Sequence, residues 1–131
     1  MSEAPLVLIV DDFDDNREMF GEFLALSGFR VAEASTGAEA IERAIALVPD
    51  IVLMDVTLPD VDGWEVTRRL KANAATGHVP VVALTGHSGK EYEGAAKAAG
   101  CDAFLLKPCA PDALVAEIRR LLSLRDVRAA T

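Results

Sequence analysis

The segment Ile51-Val52-Leu53-Met54-Asp55-Val56-Thr57-Leu58-Pro59-Asp60-Val61-Asp62-Gly63-Trp64 decides how the rest of the chain is read. Four apolar residues end in a carboxylate, and a stretch containing Pro, Asp and Gly follows. Such a run reads as a buried strand leaving the core, which places Asp55 at its exposed C-terminal tip. Open α/β sheets carry their chemistry at that edge.

Outward from this strand, five strand signals alternate with five helix signals. Leu6 to Val10 is a continuous apolar run after Pro5. Asp14 or Asp15 then suits a helix cap, with Glu18 as capping-box partner to Asp15. Met19, Phe20, Phe23, Leu24 and Ser27 repeat at helical spacing, and Gly28 can end that helix. Arg30 to Ala34 mixes polar and apolar residues, as an edge strand does. Thr36 to Leu47 is helical, with Ala40, Ile41, Ala44 and Leu47 on one face and Pro49 as the stop. After the Asp55 strand, Trp64 to about Ala75 forms a third helix, with Trp64 as its anchor. Val81 to Leu84 is another buried strand. Lys90 to Ala99, closed by Gly100, is a helix, and Asp102 to Leu106 is the last strand. Pro111 to Leu124 is an amphipathic helix with Leu114, Ile118, Leu121 and Leu122 as its stripe. The tail from Arg125 to Thr131 is expected to fray. This alternation implies parallel pairing through right-handed crossovers and a doubly wound sheet, with every strand C-terminus on one edge.

The bulk numbers narrow the function. A chain of 131 residues, 51% hydrophobic and 26% charged, suits one globular domain with a substantial core. A net charge of −8 argues against a duplex-binding surface, so no direct nucleic-acid contact is expected. No apolar run approaches the roughly 20 residues of a membrane span, and the N-terminus lacks the regions of a signal peptide. A cytoplasmic protein with no membrane contact is the expectation. Cys101 and Cys109 lack metal-ligand spacing and disulfide density, and read as reduced thiols.

The strand tips collect a particular set of groups: Asp11 and Asp12 after the first strand, Asp55 after the third, Thr85 after the fourth and Lys107 after the fifth. Each alone has an ordinary reading, as a helix cap, a loop cap or a solvated turn residue. Together they put groups suited to phosphoryl transfer at the end of every strand except the edge one.

This set, with Pro59 and Asp62-Gly63 after the acceptor strand and Pro108 after Lys107, resembles the receiver domain of two-component response regulators, in its CheY-like form. The resemblance runs from Leu6 to about Leu124. It implies a flavodoxin-like (βα)5 three-layer sandwich whose parallel sheet has the order 2-1-3-4-5, with Asp11, Asp12 and Asp55 flanking its switch point. It also implies a phosphoacceptor that is not a turnover enzyme, although it catalyses its own aspartyl phosphorylation and dephosphorylation.

Physical chemistry supports that reading. Three carboxylates within ~5 Å repel by about 3 kcal/mol per pair at an effective dielectric near 20. Such a cluster needs a cation, and hard oxygen ligands beside a phosphate substrate select Mg²⁺. On the family's pattern Asp12 and Asp55 are direct ligands, Asp11 acts largely through water, and the Thr57 backbone carbonyl is the third protein oxygen. Asp55 is the nucleophile toward a donor phosphohistidine, with Lys107 taking phosphoryl charge.

The family further implies that Thr85 and Phe104 form the switch and that Thr57, Gly86 and His87 tune the phosphorylated lifetime. Phe104 also reads as a plain core aromatic, and His87 as an exposed loop residue. The implied donor is a sensor histidine kinase or histidine phosphotransferase, docking near Phe13, Asn16, Arg17 and Phe20. The output face would use Glu91, Tyr92, Lys97, Phe104, Pro111 and Leu114 toward a downstream effector; Phe20, Tyr92 and Leu114 equally suit a core. A monomer, or a weak dimer on phosphorylation, is expected.

Cys109 departs from the large apolar residue common after this Lys-Pro pair, and the Lys107-Pro108 bond is often cis in relatives. Three other readings compete with this one. A haloacid-dehalogenase-type phosphatase needs a second Asp where Thr57 stands. An FMN carrier needs a hydroxyl-rich and glycine-rich phosphate loop where Asp11, Asp12, Asp14 and Asp15 stand. A degenerate receiver that only binds partners is opposed by the complete set. No output domain follows the fifth helix, so one receiver domain over residues 1–131 is expected, acting alone or within a longer regulator or hybrid kinase.

Overall fold

The computed structural model describes residues 4–56, 58, 60–86 and 90–130, with 90, 91 and 128–130 as backbone only. Strands β1 (Leu6–Val10), β3 (Ile51–Asp55) and β4 (Val81–Thr85) are buried almost throughout and have no polar face to give to water. They therefore occupy the middle of a parallel sheet of order β2-β1-β3-β4-β5, with β2 (Arg30–Ala34) and β5 (Ala103–Leu106) at its edges. The expected doubly wound, flavodoxin-like architecture is the one observed.

Alternation along the strands divides the core in two. Val7, Ile9, Leu53, Val82 and Leu84 face one side, where Phe20 and Leu24 of α1 (Asp14–Leu26) meet Leu114, Ile118 and Leu121 of α5 (Pro111–Ala130). Leu8, Val10, Val52, Met54 and Val81 face the other, against Ala40 and Ala44 of α2 (Gly37–Leu47) and Val66 and Leu70 of α3 (Gly63–Ala72). Each fully buried Leu or Ile contributes about 2 kcal/mol by leaving water. Helix α4 (Lys90–Ala99) adds buried Ala96 and Ala99, and Gly100 (φ 95°) turns the chain after it as expected.

Several boundaries differ from the sequence reading for local reasons. Helix α1 starts at Asp14 behind Phe13, so Asp14 and Asp15 lie in its first turn, where their charge suits the helix dipole, and neither is the cap. On α2, Leu47 is 47% exposed in the last turn, beside the left-handed Val48 (φ 45°), and is not part of the buried face. Helix α3 stops at Ala72 because Asn73 turns extended; its Oδ1 accepts from Ala75 N at 2.8 Å and its carbonyl from Gly77 N at 2.8 Å. Strand β4 includes Thr85, whereas β5 begins after Asp102, whose carboxylate caps Val81 N at 2.8 Å. The segment expected to fray is helical to Ala130, tied by Arg125 to Asp50 at 2.8 Å.

Helix α3 can start where it does only because residue 63 has no side chain. A Cβ on Gly63 would lie 2.5 Å from Val56 Cα and 2.7 Å from the Asp55 carbonyl oxygen, both backbone. Gly63→Ala is expected to lower unfolding free energy by about 2 to 3 kcal/mol. Gly94→Ala, in α4 with open space around it, should raise it by about 0.5 to 1 kcal/mol. Urea titrations of both variants check the contrast; equal effects would remove the role assigned to Gly63.

Candidate functional site

Chain order and strand register bring the tip residues together. Asp11 follows β1, held by its own N–H to Ala34 O at 3.1 Å, while its Oδ1 accepts from Phe13 N at 2.9 Å and so shapes the turn into α1. Asp55 ends β3 in register with Leu84, one residue before Thr85. Thr85 pairs with Leu106, and its carbonyl accepts from Lys107 N at 2.7 Å, which fixes where Lys107 leaves β5. The Lys107-Pro108 peptide is cis.

One carboxylate oxygen from each of Asp11, Asp12 and Asp55 lies within 4.8 Å of the other two. Asp11 and Asp55 are 2% and 4% exposed, and Asp12 is exposed. Lys107 Nζ stands 3.2 Å from Asp55 Oδ2 and 3.7 Å from Asp11 Oδ2. Three negative charges thus face one positive charge, and a dication would balance the remainder. Asp11 Oδ2 is buried and accepts no hydrogen bond among the described residues. A buried carboxylate oxygen with unspent lone pairs, beside two further carboxylates, fits a small hard cation such as Mg²⁺.

Arg17 supports this corner. Its Nη1 donates to the Asp11 carbonyl at 2.7 Å, while its other nitrogens reach Asp14 and Glu33, on β2, at 2.5 and 3.1 Å. Those carboxylates raise its guanidinium pKa against the opposing effect of burial. Sequence reading placed Arg17 only on a docking surface, since a bond to a carbonyl leaves no trace in residue spacing.

Other tip residues sort clearly. Thr85 is fully buried, and Gly86 is exposed, with nothing among the described residues within 4 Å of where a Cβ would be. Phe104 is half-buried and lines a cavity of about 210 Å³ with Glu93, Ala96, Lys97 and Cys101. Phe20 and Leu114 belong to the core and are not surface candidates, whereas Tyr92 is half-buried. Thr57, Pro59 and His87 lie outside the described residues, as does the Glu91 side chain. Cys101 and Cys109 are free thiols, and burial pushes both up, so they favour the protonated form.

A parallel sheet of this order with an acidic pocket at its switch point is the frame of a flavodoxin-like signalling domain. Residues 7–119 match the response regulator receiver domain, and the chain belongs to that family. It is similar to the polar-differentiation response regulator DivK of Brucella ovis, 34% identical over 116 residues that span 88% of this chain and 94% of the relative. Among solved structures it resembles the chemotaxis protein CheY4 of Vibrio cholerae, with a TM-score of 0.86 and 29% identity over 91% of this chain and 98% of that one. A CheY-like receiver domain protein of Methanospirillum hungatei superposes with a TM-score of 0.90 and 25% identity, covering 96% of this chain and 99% of the other. Receiver domains are signalling domains, not enzymes of the ordinary kind; they work with histidine kinases and downstream effectors and generally bind Mg²⁺ at an acidic pocket. No helix among the described residues is long and apolar enough to cross a membrane.

The crowding has a measurable cost. Asp12→Asn removes one of three charges without touching a buried hydrogen bond, and in chelator at low salt it is expected to stabilise the protein by about 1 kcal/mol. A urea titration checks this; a loss of stability would show that Lys107 already neutralises the cluster.

Proposed function

We propose that this chain is a phosphoacceptor receiver of a two-component or phosphorelay system, taking a phosphoryl group onto Asp55 from a phosphohistidine of a sensor histidine kinase or histidine phosphotransferase. The observation that carries this reading is the meeting of Asp11, Asp12 and Asp55 within 4.8 Å, with Lys107 Nζ 3.2 Å from Asp55.

Asp12 and Asp55 would hold Mg²⁺ directly and Asp11 largely through water, with the Thr57 carbonyl as the third protein oxygen on the family's pattern. When bound, the ion supplies positive charge that offsets the carboxylates and the transferring phosphoryl oxygens. An Asp55 oxygen attacks phosphorus in line. The O–P bond forms as the P–N bond to the donor imidazole breaks, and that electron pair stays on the ring nitrogen. The product is an acyl phosphate on Asp55, reached with little proton chemistry. Lys107 pairs with a phosphoryl oxygen and holds developing charge. The Thr85 hydroxyl turns toward the phosphoryl group, and Phe104 moves into the space it leaves, by packing alone because it has no hydroxyl. Thr57, Gly86 and His87 govern how readily water reaches the acyl phosphate.

Residues 1–131 act as one receiver domain in the cytoplasm, as a monomer or a weak phosphorylated dimer. The donor docks over Phe13, Asn16 and Arg17, and the effector reads Tyr92, Lys97, Phe104 and Pro111.

Intact-protein mass after incubation with acetyl phosphate and Mg²⁺ tests the reading. A gain of about 80 Da, one phosphoryl group, is expected for the wild type and is abolished by chelator and by Asp55→Asn. Lys107→Ala is expected to keep Mg²⁺ binding yet lose the phosphorylation-dependent change in Trp64 fluorescence; a normal change would remove its role. Failure of the wild type with both acetyl phosphate and a phosphohistidine donor would leave a partner-binding domain without phosphoryl chemistry.

A further inference from the structure

The loop after Asp55 is fastened at both ends. Near α3, Gly63 N donates to Val56 O at 3.0 Å, and only a glycine fits against the Val56 backbone. In between, Asp60 reaches across to the start of α2. Its Oδ1 accepts from Gly37 N at 2.7 Å and its Oδ2 from Ala38 N at 3.0 Å.

Helix α2 has a cap of its own that does not need Asp60. Thr36 Oγ1 accepts from Glu39 N at 3.1 Å, and Glu39 Oε1 returns the favour by accepting from Ser35 N at 2.8 Å. That box leaves the N–H groups of Gly37 and Ala38 without helical partners, and Asp60 takes both. The contact is close on each side: a Cβ on Gly37 would lie 3.2 Å from Asp60 Oδ1 and from Val61 Cβ, and 2.9 Å from Val66 Cγ2. Donation from Gly37 and Ala38 holds the Asp60 carboxyl below the usual carboxylate range, so it is ionised at neutral pH.

We infer that Asp60 is a positioning residue for the phosphoacceptor site: by clamping the loop to α2, it holds Val56, and with it the Asp55 carboxylate, in place for the cation. The inference rests on the function proposed above. A carboxylate suits the task because two parallel N–H groups at a helix start present a two-point anion seat. An amide there keeps one acceptor oxygen, and alanine keeps none.

The alternative is that Asp60 merely stabilises α2, and the helix's own cap separates the two roles. Phosphorylation rates with acetyl phosphate, followed by intact mass across a Mg²⁺ series, are compared for wild type, Asp60→Ala, Asp60→Asn and Thr36→Ala. Asp60→Ala is expected to raise the half-saturating Mg²⁺ concentration about tenfold, and Asp60→Asn by less. Thr36→Ala should leave it unchanged, although both it and Asp60→Ala lower the urea midpoint. Calorimetric Mg²⁺ titration of the same four proteins should give the same order, which judges the clamp even where the wild type accepts no phosphoryl group. A half-saturation in Asp60→Ala within about twofold of wild type, or an equal shift in Thr36→Ala, overturns the inference. A wild type that binds Mg²⁺ but is never phosphorylated overturns the proposed function instead.

Discussion

Three carboxylates held at one edge of a sheet repel one another, and this repulsion is the constraint the rest of the structure has to meet. Free chains would relax it by moving apart. Here Asp11 and Asp55 cannot move, because they terminate strands buried along their length between two helical layers. Hydrophobic burial in the two cores, at about 2 kcal/mol per large side chain, outweighs the repulsion many times over. The apolar strands thus hold an unfavourable charge arrangement in place. Lys107 relieves part of it, and a dication suits the remainder.

Rigid strands alone leave the loops between tip residues undetermined, and a separate set of contacts governs those. Arg17 grips the carbonyl of Asp11, Thr85 fixes the departure of Lys107, and Gly63 lets α3 begin against the backbone of Asp55 and Val56. Each of these contacts fixes main chain at or next to a residue of the pocket. The backbone around the pocket is therefore set by the packed scaffold, which holds the carboxylates facing one another.

The parallel sheet and the tip residues were legible in the strand signals for one reason, whereas the strand order followed from the family resemblance alone. Buried parallel strands are short apolar runs that end where polar residues begin, so Asp55, Thr85 and Lys107 mark their own places. Helix α4 and its closing Gly100 were read correctly because an alanine-rich run ended by glycine is a local signal. Contacts between distant segments were not legible. Nothing around Asp60 announces that its partners are Gly37 and Ala38, and nothing in the Arg125 tail announces Asp50. The cap of α1 differs for a related reason: four acidic residues, Asp11, Asp12, Asp14 and Asp15, cluster about its start, any of which suits a cap, and the turn is decided by the Asp11 bond to Phe13 N. Leu47 was misassigned because helical periodicity does not say where the covering layer ends.

The two ends of the sheet treat the same residue types in opposite ways. At the strand N-termini, Asp50 accepts from Leu6 N at 2.7 Å and from Arg125 at 2.8 Å. Asp102 likewise accepts from Val81 N and from Lys71, each at 2.8 Å, and Lys71 in turn donates to the Val79 carbonyl at 2.8 Å. These carboxylates are spent on closing that end of the fold. At the strand C-termini, Asp11 Oδ2 is buried and accepts no hydrogen bond among the described residues, with Lys107 Nζ 3.7 Å away. A chain able to give Asp50 and Asp102 both a backbone donor and a cation at hydrogen-bond distance could satisfy Asp11 by the same means. That this oxygen has no hydrogen-bond donor among the described residues, beside two more carboxylates and a single lysine, sets the acidic pocket apart from Asp50 and Asp102. The pocket's unmet electrostatic demand is what a cation and a phosphoryl group would supply.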